Sequence, residues 1–137
     1  MDIDFVNAQT PDFDVQTYIR MLIAIAKSDR ENGPPEYAYI RSKANALGID
    51  YEDVLQTTGK DYKLGRKKVS RLTALMILKD AIMLASLDRN FSLPERQRVY
   101  AYAENLDVAR KDVDELEKLV QAYRGLKQHW QALVASV

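Results

Sequence analysis

Four carboxylates recur at matched spacing along this chain: Asp29 with Glu36, then Asp88 with Glu95. In each pair an arginine follows the aspartate (Arg30, Arg89) and a proline precedes the glutamate (Pro35, Pro94). Oxygen-only ligand sets of this kind suit hard divalent cations such as Ca²⁺ or Mg²⁺. With a bound metal, the same carboxylates are also the raw material of a hydrolase. If the two segments meet, Asp29, Glu36, Asp88 and Glu95 converge, with Glu31 as a fifth carboxylate in the first segment only. The spacing is not that of an EF-hand, which needs ligands at fixed loop positions and a closing glutamate. A purely structural role competes with the cation reading. Glu95 stands three residues after Ser92, the place of a capping-box glutamate, and Glu36 stands three after Gly33. Acidic groups at helix starts gain about 0.3–1 kcal/mol from the helix dipole. Arg30 and Arg89 place cations that compete for the same oxygens.

Other chemistries are bounded by what the 137-residue chain contains. There is no cysteine and one histidine. Thiolate catalysis, disulfides, iron–sulfur clusters and Cys-ligated zinc are excluded. His129, beside Trp130, has no nucleophile or orienting carboxylate near it in sequence and reads as a surface helix residue. Twenty basic residues balance twenty acidic ones, unlike a dedicated nucleic-acid binder, so no nucleic acid is expected as partner. The even total hides opposed patches. The first 19 residues carry four acids and no base. Lys60, Lys63, Arg66, Lys67, Lys68 and Arg71 face only Asp61, a cluster suited to phosphate or anionic lipid, or to a solvated linker. No apolar run approaches the roughly 20 residues of a membrane span. The acidic N-terminal stretch lacks a basic n-region, so a secretory signal is not expected and a cytoplasmic protein is.

Placing these groups falls to helices. Val15, Ile19, Leu22, Ile23 and Ala26 recur at three- and four-residue steps and predict an amphipathic helix over 14–28. Pro34 and Pro35 start a second helix, which carries Tyr37, Ile40, Ala44 and Leu47 and ends at Gly48. Asp50 is positioned to cap a short third helix to about Gln56. Residues 58–68 read as the longest connection. A long helix follows over about 69–86, with Leu72, Leu75, Met76, Ile82, Met83 and Ala85 expected to be buried. Another runs from the Ser92–Glu95 capping box to about Leu106. The last segment has apolar residues at Val113, Leu116, Val120, Tyr123, Leu126, Trp130, Leu133 and Val137. It predicts one long helix with an irregularity at Gly125, or two helices broken there. Trp130, Leu133 and Val137 read as core or as a dimer-forming stripe. Among the eight tyrosines, Tyr37, Tyr39, Tyr100 and Tyr102 fall on the second helices of the two repeats; Tyr37 and Tyr39 lie two apart and cannot share a helix face, so some must reach solvent or a partner. No strand is predicted.

Shifted by 59 residues, the sequence aligns with itself without a gap. Residues 19–54 fall on 78–113 with ten identities, among them Ile23/Ile82, Ala26/Ala85, Asp29/Asp88, Glu36/Glu95, Ala44/Ala103, Leu47/Leu106 and Val54/Val113. The expectation is an all-α, single-domain bundle of six or seven helices built from two pseudo-symmetric repeats. Repeat one covers about 14–57, a linker about 58–68, and repeat two with the C-terminal helix about 69–137.

The segments Ala26-Lys-Ser-Asp29…Glu36 and Ala85-Ser-Leu-Asp88…Glu95 carry a further resemblance, together with Leu47-Gly48-Ile49 and its counterpart Leu106-Asp107-Val108. Over about residues 15–120 the chain resembles the tellurite-resistance TerB-like family. That family's pattern has a helix ending Ala-x-x-Asp-Gly and a glutamate opening the next helix, once in each half. Here arginine replaces the glycine after each aspartate. The resemblance implies an all-helical TerB-like domain with a divalent cation at Asp29, Glu36, Asp88 and Glu95. It also implies a non-catalytic, stress-associated binding or scaffolding role with a protein partner and peripheral membrane association. Tellurite itself is not carried over, because four carboxylates repel an oxyanion and no thiol is present to reduce it. The alternatives in other classes are a metal-dependent hydrolase using the same carboxylates, and contact of the basic linker with nucleic acid or lipid.

Overall fold

The computed structural model describes residues 11–28, 33–62, 68–87 and 91–136. Among them are six α-helices and no strand: α1 (Val15–Ser28), α2 (Pro34–Ala46), α3 (Tyr51–Thr57), α4 (Arg71–Ala85), α5 (Leu93–Asn105) and α6 (Arg110–Ala135). The chain is all-α.

Local chemistry sets the starts. Asp14 accepts from the Thr17 amide at 3.1 Å and from its hydroxyl at 2.7 Å, fixing the first turn of α1. Ser70 does the same for α4 through the Thr73 amide at 3.1 Å. The two caps are joined, since the Asp14 amide donates to Thr73 Oγ1 at 3.0 Å. Asp50 caps α3 through the Asp53 amide. Proline occupies the first turns of α2 and α5, where a missing N–H costs nothing.

The ends of α2 and α5 repeat each other at the 59-residue offset. Leu47 and Leu106 close the helices with nearly the same dihedrals, and Gly48 and Asp107 follow in the left-handed region at φ 73° and 58°. The Ile49 amide donates to the Ala44 carbonyl at 2.9 Å, and the Val108 amide to the Ala103 carbonyl at 2.8 Å. This is the Schellman stop, which satisfies otherwise orphaned carbonyls.

Helices α1, α2 and α3 touch one another pairwise, α4, α5 and α6 do likewise, and α1 lies along α4 to join the trios. The core runs through that seam, with Tyr18, Ile19, Leu22 and Ile23 from α1 and Ile77, Leu78 and Ile82 from α4 essentially sealed from solvent. Burying each large aliphatic chain stabilises the fold by about 1.5–3 kcal/mol.

Two sequence expectations change. The inner face of α4 is Thr73, Ala74, Ile77, Leu78, Asp80, Ala81, Ile82 and Leu84, whereas Leu72, Leu75, Met76, Met83 and Ala85 are only partly buried. Ile82 is buried as expected, but the helix passes through the middle of the fold and has two apolar sides, so periodicity alone did not separate the inner stripe from the outer one. The second change concerns α6, a single 26-residue helix continuous through Gly125. Its core face ends at Val120; Trp130 is 48% exposed and Leu133 61%, so they are not core. At 1.5 Å per residue the helix is about 39 Å long and outruns the helices it packs on.

Candidate functional site: a basic-edged apolar groove

The sequence-selected carboxylates divide. Asp29 and Asp88 lie outside the described residues, as do Arg30, Glu31, Arg89 and residues 63–67 of the basic cluster. Glu36 and Glu95 are turned back onto their own helix starts. Glu36 Oε2 accepts from the Gly33 amide at 2.8 Å. Glu95 Oε1 accepts from the Ser92 amide at 3.0 Å, while Ser92 Oγ accepts from the Glu95 amide at 3.3 Å. Glu95 is buried and Glu36 half-buried. Among the described residues no three His, Asp or Glu side chains gather where a metal could be held. His129 stands exposed on α6. Arg71, at the edge of the basic cluster, pairs with Asp112 at 3.1 Å.

The architecture opens a different site. Helix α2 packs on α1 and α3, and α6 packs on α4 and α5. Between α2 and α6, over the outer side of α4, lies a groove of about 690 Å³. Its walls are the apolar residues that α4 does not bury inward, Leu72, Leu75, Met76 and Met83, with Leu116, Leu119 and Val120 from α6. Tyr39 and Lys43 enter from α2, and Tyr123, Arg124 and Lys127 from α6. Lys79 completes four bases on this lining, which contains no Asp or Glu. The volume falls in the range of ligand and peptide clefts.

The groove is tied to the core through one buried carboxylate that sequence reasoning missed. Asp80 is fully buried. It accepts from the Tyr18 hydroxyl, and its Oδ1 accepts from the Tyr39 hydroxyl at 2.5 Å. Lys79 Nζ lies 3.2 Å from the same Oδ1. Burial first, and then the neighbouring Asp80 charge, push both tyrosine hydroxyls far above the ordinary phenol range. They therefore stay protonated and donate. The signal was present: Asp80 interrupts the run Ala-Leu-Met-Ile-Leu-Lys-Asp-Ala-Ile-Met-Leu-Ala on the face that also carries Ile77 and Leu84. An acid there needs partners, because an unpaired buried charge is not tolerated.

Arg124 is the other group held in an uncommon setting. Nη1 donates to Ser86 Oγ at 2.9 Å and Nη2 to the Met83 carbonyl at 3.4 Å. Both acceptors are neutral, and partial burial lowers its affinity for its proton. Lys43 lies over the Tyr39 ring at 5.4 Å, a cation–π contact that leaves its ammonium edge free of any carboxylate in the groove lining.

A second hollow, of about 490 Å³, opens between α1, the turn after α3 and the end of α5. Met21, Ala24, Ile25 and Leu106 line it together with Ser28, Lys60, Asp61, Tyr62, Tyr102 and Asn105, a mixed apolar and polar set that includes an acid. No protein-family model, curated protein or solved structure matches this chain.

Proposed function

We propose that this chain is a non-catalytic binding or scaffolding module whose working surface is the groove between α2, α4 and α6. The observation that carries the reading is the make-up of the groove: about 690 Å³, walled by apolar side chains of α4 and α6, with four bases and no acid on its lining. An apolar cleft with a few fixed polar groups is the usual form of a recognition site. The resemblance to TerB-like proteins supports a stress-associated role with a protein partner in the cytoplasm.

Affinity capture with the intact chain tests this. Met76→Glu places a carboxylate on the groove wall, while Asn105→Glu does so in the second hollow. Proteins retained by the wild type are expected to be lost with Met76→Glu and kept with Asn105→Glu, both variants first shown by circular dichroism to be helical. Equal retention by both variants overturns the reading.

A further inference from the structure

The apolar surface does not stop where the groove stops. Along α6, Leu119, Tyr123, Leu126, Trp130 and Leu133 follow one another at steps of four, three, four and three. Leu119, Leu126, Trp130 and Leu133 are 46–61% exposed. Such 3.5-residue spacing is the seam of a coiled coil, narrower than the stripe a helix turns toward a globular core. The seam runs for about 21 Å. Its first half forms one wall of the groove, and its second half extends past Lys127, the last groove residue on α6. From Leu119 to Ser136 the helix carries Arg124, Lys127 and His129 and no acid.

We infer that the occupant is an acidic amphipathic helix from another protein. It would lay apolar residues at heptad spacing along the α6 seam and set flanking carboxylates against Arg124, Lys127 and Lys43. This rests on the binding reading above and names its partner class. A second copy of this chain fits poorly. Antiparallel pairing of two α6 seams about Leu126 brings Lys127 close to its own copy, and neither copy supplies an acid over that stretch. A flat lipid surface meets the overhanging half of α6 but cannot enter the concave half, which a helix can. Arg124 adds the charge argument: its guanidinium is partly desolvated against neutral acceptors, so a carboxylate gains there more than at a solvated arginine.

Trp130 is the sole tryptophan and lies on the seam, so its emission reports cover directly. The probe is a tryptophan-free peptide of about 20 residues with leucine at heptad a and d positions and glutamate at e and g, alongside a twin with lysine for glutamate. The expected result is a saturable blue shift of Trp130 with the glutamate peptide, at least about tenfold tighter than with the lysine twin, since one well-placed charge contact is worth about that much. Lys127→Glu and Arg124→Glu, each checked for helicity, are expected to remove or invert that preference. Equal binding of the two peptides, or a response to neither, overturns the acidic-helix proposal. So does a blue shift produced only by phosphatidylglycerol vesicles, or one that grows with protein concentration alone alongside dimer sedimentation. Those last two results leave the groove a binding surface with a different occupant; loss of groove-dependent capture removes both proposals.

Discussion

Replacing Asp80 with alanine tests whether the Tyr18–Asp80–Tyr39 network holds the fold together or merely occupies it. Asp80 is 0% exposed, receives two phenolic hydroxyls and lies beside Lys79, whose side chain is 12% exposed. A hydrogen bond to a charged group is worth about 1.5–3 kcal/mol, so Tyr18→Phe and Tyr39→Phe should each cost that much. Asp80→Ala also removes the shared acceptor of both hydroxyls and the carboxylate beside Lys79, and loss of one partner of a buried charged set costs about 3–5 kcal/mol. For a domain of ordinary stability, about 5–15 kcal/mol, that is a third or more of the total. Urea unfolding at pH 7 reads the effect. With m near 2 kcal/mol/M, each phenylalanine variant moves the midpoint by about 1 M. The decisive comparison is Asp80→Ala made in the Tyr18→Phe/Tyr39→Phe background. With both donors gone, alanine should cost at least about 1 kcal/mol less than in the wild type, the coupling expected of groups in one network. Strict additivity of the three substitutions would falsify the network as described.

Two further outcomes follow from the same structure. Alkaline pH should unfold the protein through Tyr18 and Tyr39. Their folded-state affinities for the phenolic proton are raised, so their contribution is complete below the unfolded value of about 10 and is lost as pH rises above it, by about 1.4 kcal/mol per pH unit for each. Ultraviolet titration should show two of the eight tyrosines ionising only with unfolding; full ionisation of a still-helical protein contradicts this. Gly48 and Asp107 share the left-handed stop at φ 73° and 58°. Gly48→Ala should therefore cost about 1 kcal/mol, while Asp107→Gly should be nearly neutral, because relief of backbone strain and the greater freedom of unfolded glycine offset each other. Thermal melts with equal losses at both positions would count against the shared stop.

The helices were legible because each carries its own start and stop. Pro34–Pro35 and Ser92–Glu95 open α2 and α5, Asp50 opens α3, and Gly48 ends α2; the observed bounds agree with these signals to within about two residues. The role of Glu36 and Glu95 as caps was readable from the three-residue spacing to Gly33 and Ser92. Three things were not legible. Which apolar face of α4 turns inward depends on α1, α5 and α6 all packing on it, and no local pattern encodes three neighbours. The groove was hidden for the same reason. Leu72, Leu75, Met76 and Met83 look like core in sequence and become groove wall only because α2 packs on α1 and α3. Asp80 shows in sequence only as an acid within an apolar run, and its meaning lies 62 and 41 residues away, at Tyr18 and Tyr39.

The end of α6 makes the strongest case that this surface serves something beyond the chain itself. Apolar burial stabilises by about 25 cal/mol per Å² only where water is removed. Leu126, Trp130, Leu133 and Val134 remain 46–64% exposed, so within this chain they realise little of that stabilisation. They do carry its usual liability, since large exposed apolar patches promote association. A helix needed only to complete the second trio would serve as well if it stopped near Arg124, just as α3 stops at Thr57. The extra turns keep one face apolar, exclude acids, and continue without a break from a groove whose lining excludes acids too. Tyr39 ties the groove to Asp80 and the core, so its α2 edge is held in place before any partner arrives. A rigid wall on one side and an exposed apolar seam on the other is the geometry in which a third helix gains most by docking.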